Sequence, residues 1–471
     1  MTNLYSLSLS MADPASRQPR LFVANRGEIA LRIIRAAHAI GVETVLGVSS
    51  ADKDSAAARE AGRSVVLGPA ASRDSYLNAN LVVHAAISTG CTLLHPGYGF
   101  LSERADFAEL CAAEGLVFIG PRPETVRAVG DKISAKAVAE SAKVPLTPGS
   151  GKLESVEHAL QVAEEIGYPV ITKASAGGGG RGMIVAYDAE DLRRAFDEAS
   201  TTAREAFGDD TLYLEAYVER ARHLEVQLFG DGEGRTVHFG ERDCSIQRRY
   251  QKMIEEAPAA ILSDELRAGL RTAAIDLLAS IDYRNAGTVE FLYDELRQKF
   301  YFMEVNARIQ VEHPVSEQIS AHDLIKLQLG LAMGTMTLPE QATIGLNGHA
   351  IEARILAEDP ERNFMPCPGT ITRWVPATGP GVRVDSAVQE GSTVPPYYDS
   401  MVAKLIVTGA SREQAIDRLS AALRRFEVRG IATNIPLLQA IVDHPDYRAN
   451  AISTKWLEDV LLPAFQTERP A

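Results

Sequence analysis

The sequence predicts a mixed α/β and α+β protein, with an N-terminal parallel α/β domain followed by segments built from antiparallel hairpins. Three observations carry this. Short apolar runs alternate with helical patterns over residues 21–130, the signature of a parallel sheet with helices on both faces. From about residue 131 the texture changes to turn-linked strand pairs. A third segment, about 348–460, mixes strands with a closing helical stretch.

In the first segment LFVAN reads as a buried strand, EIALRIIRAAHAI as an amphipathic helix and VETVLGVSS as a second strand. A helix around LNANLVVHAAIST follows, then CTLLHPG and LVFIG as strands. The loops Asn25-Arg26-Gly27-Glu28 and His95-Pro96-Gly97-Tyr98-Gly99-Phe100 fall at strand ends, where such sheets bind ligands. The first turn lacks a G-x-G-x-x-G fingerprint, which argues against a nicotinamide enzyme. Next, KISAKAVAESAK reads as a helix leading into the Pro/Gly joint VPLTPGSG. SVEHALQVAEEIG is a helix, and YPVITKAS and MIVAY are strands flanking a run of glycines. HLEVQLFG-DGEG-RTVHFGE and TVEFLYD-ELRQ-KFYFMEV read as hairpins, and AIEARILA, TITRWV and AKLIVTG as the strands of the third segment.

At 471 residues the chain has room for about three domains. Hydrophobic residues at 46% and charged residues at 23% fit a globular protein with a real core and exclude a mainly disordered one. Lys plus Arg number 48 against 62 Asp plus Glu, a net charge of −14. That balance disfavours a nucleic-acid partner, which would need a basic face. Cys91, Cys111, Cys244 and Cys367 show no C-x-x-C or zinc-like spacing and read as reduced thiols of a cytoplasmic protein. No apolar run approaches a membrane span. Residues 1–19 are Ser-rich without a signal-peptide pattern and read as a disordered extension, with Met11 as an alternative start.

The richest stretch is Glu304-Val305-Asn306-Ala307-Arg308-Ile309-Gln310-Val311-Glu312, where polar and apolar residues alternate without a break. If it is extended, Glu304, Asn306, Arg308, Gln310 and Glu312 share one face. Two carboxylates, an amide and a guanidinium make a coordination set rather than a generic solvent face. Folding TVEFLYD back on KFYFMEV places Glu290 opposite Glu304 or one residue from it. Like charges across a hairpin are destabilising, and a divalent cation between them reverses the sign. Glu290, Glu304 and Asn306 therefore look like a Mg-nucleotide site of hard oxygen ligands.

Two further segments point to anions. The glycines after Lys173 read either as a flexible turn or as a lid whose N–H groups cover phosphates, with Lys173 supplying fixed positive charge. No G-x-x-x-x-G-K-[ST] loop occurs, so an ATP site must be of another type. The run Arg242-Asp243-Cys244-Ser245-Ile246-Gln247-Arg248-Arg249-Tyr250-Gln251-Lys252 places local positive charge beside the expected metal site. Taken alone, His223 and Arg354 read as structural.

Together the segments resemble the biotin carboxylases of the ATP-grasp superfamily, from about Leu21 to Leu461. The motifs ANRGEIALRI, HPGYGFLSE, GDK, KASAGGGGRGM, RHLEVQ, ERDCSIQRRYQK, EEAPA, EVNARIQVEHPVSE and VPPYYDSM stand in family order. The resemblance implies an N-terminal domain over 20–130, an ATP-grasp domain over 131–345 with a mobile lid at about 147–217, and a C-terminal domain over 346–463. It places Lys132, Lys173, Gly179, Gly180, Glu215, Ala216, Tyr217, Val218, His223, Tyr250, Glu290 and Glu304 around ATP. It makes Glu290, Glu304 and Asn306 the Mg²⁺ (or Mn²⁺) ligands. Lys252, Arg308 and the Val311 backbone match the bicarbonate pocket, Glu312 the catalytic base, Arg308 the catalytic arginine, and Arg354 with Tyr98 the biotin side.

The implied chemistry explains those residue types. Bicarbonate is a poor electrophile and needs ATP to form carboxyphosphate. A carboxylate base can take its proton while Lys252 and Arg308 hold the anion, and the permanent cation of Arg354 suits a biotin enolate. Tyr250 stands where the family usually has His, Ala216 where Lys is common and Ala307 where Thr or Ser is common, and the glycine lid starts with Ala176. These departures bear on nucleotide affinity. No Ala-Met-Lys-Met motif occurs, so biotin is expected on a separate carrier. The implied partners are a biotin carboxyl carrier protein and a carboxyltransferase subunit, and family members are often homodimers. The expected role is the first half-reaction of an acyl-CoA carboxylase, with acetyl-CoA as first choice of acceptor. Propionyl-CoA, pyruvate and urea are the other acceptors, and a non-catalytic ATP-binding paralogue or an ATP-grasp ligase without biotin are the rival readings.

Overall fold

The structure, a computed structural model, describes residues 19–175 and 183–467. The expected extension at 1–19 lies outside the described residues except for Pro19, and so do Gly179 and Gly180.

The first segment folds as the alternation predicts. Strands β1 (Arg20–Val23), β2 (Glu43–Ser49), β3 (Arg63–Gly68), β4 (Leu93–His95) and β5 (Val117–Phe118) form a parallel sheet in the order β3-β2-β1-β4-β5. Helix α1 (Gly27–Ala39) follows β1 and buries Ile29, Ile33 and Ile34 against it. Strand β3, RSVVLG, is not among the strands read from the sequence, because its exposed and buried residues do not alternate cleanly. The loops after β1 and β4 are tied together by Asn25, whose amide donates to the carbonyls of Pro96 (2.7 Å) and Tyr98 (2.8 Å). Gly97 has φ +63°, and a Cβ there would stand 2.8 Å from that amide, so the loop needs glycine for both reasons.

Beyond residue 131 the described residues build two larger antiparallel sheets and three two-stranded ones. The three-stranded one, order β7-β6-β8, comprises β6 (Val170–Ala174), β7 (Ile184–Ala186) and β8 (Leu212–Ala216). A large eight-stranded sheet contains β9 (Ala221–Asp231), β10 (Thr236–Arg248), β11 (Gln251–Ala257), β12 (Arg284–Asp294), β13 (Lys299–Asn306) and β14 (His349–Leu356). Its order is β13-β12-β9-β10-β11-β14, continued by the strands Met401–Gly409 and Val382–Ser386. The β11–β14 pairing carries the sheet continuously across residue 345, so one sheet connects the second and third segments. Strands β9 to β11 are buried on both faces, which explains why their polar residues face partners rather than water.

Candidate active site

The centre of the large sheet carries a row of charge set by strand register. Glu304 on β13 pairs with Glu290 on β12, Glu290 with Glu225 on β9, and Glu225 with Arg242 on β10. Three carboxylates in line repel one another, and two cations, the buried Arg242 and the half-buried Lys252, offset them. Arg242 donates to Glu225 Oε1 at 2.5 Å and to Gln227 and Ser316 at 2.9 Å. Lys252 Nζ donates to Glu225 at 2.6 Å, Glu312 at 2.7 Å and Glu290 at 2.9 Å. Burial would lower the Lys252 pKa, but these carboxylates raise it well above its ordinary value. Glu225 is in turn held far below the usual carboxylate range by Arg242 and Lys252, against the effect of burial.

Glu312 joins two parts of the site. One oxygen accepts from Lys252, and the other accepts from Arg354 Nη2 at 3.0 Å. Burial pushes its pKa up, and the charges of Lys252, Arg354 and Arg242 together bring it below the ordinary value, so the carboxylate is ionised and open to a proton. Arg354 also donates to Glu255 at 2.6 Å. Arg308 reaches Glu103 (2.9 Å), Asn306 Oδ1 (3.0 Å) and Gln310 Oε1 (2.6 Å).

The expected strand over 304–312 is corrected here. Strand β13 ends at Asn306, and residues 307–312 leave the sheet in an irregular turn. Arg308, Gln310 and Glu312 therefore do not share a strand face. They converge instead because the turn folds back over Glu290, to which Gln310 donates at 3.3 Å. The basic run 242–252 is not one patch either, since Arg242 is fully buried while Tyr250 is 57% exposed on a turn at φ +66°.

The oxygens of Glu290, Glu304 and Asn306 make a hard donor set suited to Mg²⁺. Partial desolvation and the Glu290 charge raise the pKa of Glu304, whose side chain still opens to solvent, the electrostatic mark of a site short of positive charge. His223 Nε2 lies 3.1 Å from Glu290; burial opposes its protonation, and Glu290 together with Glu225 pushes its pKa up to about 9. The next wall is a cavity of about 330 Å³ lined by Lys132, Lys136, Tyr213 and Glu215. Asp131 caps the helix Lys132–Ser141 by accepting from Ser134 N at 2.8 Å, which sets Lys132 on its first turn. Glu215 accepts from both Lys173 and Lys136. Ala216 N and Tyr217 N donate to the carbonyls of Pro148 (2.8 Å) and Pro169 (2.9 Å), and Val218 is buried. On the other side Tyr98 donates to Glu28, which lies 3.2 Å from Lys404.

The chain as a whole is similar to known proteins. Residues 17–126, 131–341 and 352–459 match the biotin carboxylase N-terminal domain, the carbamoyl-phosphate synthase L chain ATP-binding domain and the biotin carboxylase C-terminal domain. Biotin carboxylase 1 of Bacillus subtilis (strain 168) is 48% identical over 440 residues, 93% of this chain and 98% of the relative. The chain belongs to the biotin carboxylase family. It is accordingly a ligase that carboxylates biotin with ATP and bicarbonate.

Two solved structures extend the comparison. A biotin carboxylase–β,γ-ATP complex from Campylobacter jejuni superposes with TM-score 0.90 at 44% identity, covering 95% of this chain and all (100%) of that one. The biotin carboxylase domain dimer of Hydrogenobacter thermophilus 2-oxoglutarate carboxylase, bound to MgADP, ADP and bicarbonate, gives TM-score 0.87 at 44% identity, covering 93% and 97%. Within this biotin carboxylase fold, sequence reasoning passed over Glu225, Glu103, Lys136, Glu255, His313 and Lys404. Two signals were available: HLEVQ alternates like the 304–312 stretch, and Lys404 is a lone cation in an apolar strand.

Proposed function

We propose that the chain carries out the first half-reaction of an acyl-CoA carboxylase, with acetyl-CoA as the final acceptor, on biotin borne by a separate carrier protein. The observation that carries the chemistry is Glu312 suspended between Lys252 and Arg354, which puts a base between an anion-holding cation and a second cation facing the biotin side. Bicarbonate lies against Lys252, Arg308 and the Val311 N–H. Glu312 takes its proton as oxygen attacks the γ-phosphorus of ATP, giving carboxyphosphate and ADP. A Mg²⁺ bound at Glu290, Glu304 and Asn306 supplies charge neutralisation to the transferred phosphoryl group. Lys132, Lys173, Glu215 and His223 border the nucleotide, with Ala216, Tyr217 and Val218 along one edge and Tyr250 at the rim. Carboxyphosphate then breaks into CO₂ and phosphate, the phosphate takes the ureido N–H proton of biotin, and Arg354, with Tyr98 nearby, stabilises the biotin enolate that accepts the CO₂.

We assign the protein to the cytoplasm as a homodimer working with a biotin carboxyl carrier protein and a carboxyltransferase. Among the described residues no helix is long and apolar enough to cross a membrane. Purified protein should hydrolyse ATP only with Mg²⁺ and bicarbonate, and faster with free biotin. ATP turnover indifferent to both bicarbonate and biotin refutes the reaction. Affinity capture of the carrier and its transferase decides the acceptor, and recovery of a 2-oxo acid transferase instead of an acyl-CoA one overturns that part.

A further inference from the structure

The irregular turn 307–312 has left the sheet, so its carbonyls have no ladder partners, yet it is buried and its backbone polar groups need partners. Three successive carbonyls find them in charged or ring side chains. Arg308 Nη1 donates to the Ile309 oxygen at 3.3 Å, His313 Nδ1 to the Gln310 oxygen at 2.8 Å, and Lys404 Nζ to the Val311 oxygen at 2.8 Å. His313 and Lys404 are both fully buried. Lys404 arrives from the strand Met401–Gly409, where it sits directly across from Arg354, and it is anchored 3.2 Å from Glu28 of the first sheet's helix.

We propose that His313 and Lys404 are positioning residues for bicarbonate, clamping the two peptide planes on either side of Val311 so that its N–H stays aimed at the anion. The inference rests on the reading of Val311 as a bicarbonate donor. A trans peptide is planar, so the Gln310 oxygen and the Val311 N–H point in opposite directions from one rigid unit. Fixing the oxygen with His313 therefore fixes the donor. A carbonyl can only accept, so Nδ1 carries the ring proton. Burial keeps the His313 pKa well below its ordinary value, leaving a neutral ring with a single N–H committed to this bond. Its Nε2 is buried without a hydrogen-bond partner and offers no competing use for that proton. Lys404 fixes the next peptide plane, which leads directly to Glu312. A donor held in place before the anion arrives need not reorganise when it binds, which is where preorganised sites gain their advantage over water.

The test separates placement from general structural support. In the full chain, His313→Asn keeps a donor near the Nδ1 position, whereas His313→Gln moves it to the Nε2 position. His313→Gln should raise the KM for bicarbonate about tenfold, the scale of one charge-assisted hydrogen bond, while the KM for ATP stays within about twofold. His313→Asn should restore most of the bicarbonate affinity. Lys404→Met should raise the bicarbonate KM in the same selective way, and Lys404→Arg should retain part of the wild-type value. Equal behaviour of the Asn and Gln variants, or a parallel rise in both KM values, overturns the proposal. A wild-type enzyme indifferent to bicarbonate refutes the function itself. A bicarbonate-dependent wild type with unaffected variants refutes only the positioning role.

Discussion

Replacing Glu312 by Gln removes the base and almost nothing else. The amide keeps the size of the side chain but cannot take a proton, so the rate should fall about 10²–10⁴-fold, equivalent to roughly 2.7–5.4 kcal/mol of barrier. The structure says why the fold should survive. Lys252 retains Glu225 at 2.6 Å and Glu290 at 2.9 Å, and Arg354 retains Glu255 at 2.6 Å, so neither cation is stranded. The stability cost is then that of weakened charge-assisted hydrogen bonds, about 1.5–3 kcal/mol each, within the roughly 5–15 kcal/mol that folded proteins hold. The assay is bicarbonate-dependent ATP hydrolysis beside nucleotide titration and thermal unfolding. Glu304→Gln serves as the contrast, because it should weaken Mg-ATP binding while leaving the bicarbonate dependence. If Glu312→Gln kept more than about a tenth of the rate, the general-base assignment would be wrong. If both variants lost only nucleotide affinity, the division of roles between them would fail.

Two other outcomes are expected. Tyr250 is solvent-exposed on a left-handed turn, so Tyr250→His should change the apparent ATP affinity by no more than about tenfold, read by ATP titration at saturating bicarbonate and biotin; an inert natural protein rescued by His would favour a regulatory paralogue. Glu256 is buried, which would raise its pKa, but His349 at 2.9 Å and a bidentate Arg412 hold it far below the carboxylate range. The unfolded chain takes up that proton near pH 4.3 and the folded chain does not, so this contribution is full above that pH and is lost as the pH falls below it. Glu256→Gln should flatten the acid limb of a stability-versus-pH curve, measured by denaturant unfolding, and an unchanged limb would show that other carboxylates carry it.

The sequence was most legible where one period governs one element. The parallel alternation over 21–130 and both long hairpins follow directly from apolar spacing, and the expected juxtaposition of Glu290 and Glu304 is met by direct pairing. The same logic misled beyond Asn306. There the polar alternation persists although the strand does not, because Arg308, Gln310 and Glu312 turn inward around an irregular backbone. Pattern also hides what it buries on both sides. HLEVQ reads as a strand with one wet face, yet β9 lies between β12 and β10 with Glu225 fully enclosed. Partners such as Arg32 with Glu317, at 2.8 Å across 285 positions, arise from assembly of separate elements and leave no local trace.

The remaining puzzle of the large sheet is its charge on the Arg354 side, where Glu255 on β11 stands directly across from Glu352 on β14. Both are fully buried, and three of their four oxygens, Glu255 Oε2 and both oxygens of Glu352, lack a hydrogen-bond partner. The groups facing Glu352 are Glu255, Glu312, Arg354 and Lys404. Two ionised carboxylates in such register would repel strongly in a low-dielectric interior. Burial raises both, Glu255 to about 7 and Glu352 well above the usual range, which favours a proton on this pair. The repulsion is thereby relieved by a proton, whereas the row Glu304–Glu290–Glu225 is relieved by Lys252, Arg242 and the divalent cation its oxygens suit. With Glu352 neutral, Arg354 faces Glu255 and Glu312, and Lys404 faces Glu28 and Asp385. The same sheet thus keeps its two ends at different electrostatic poise, as the roles proposed for the nucleotide side and for Arg354 require.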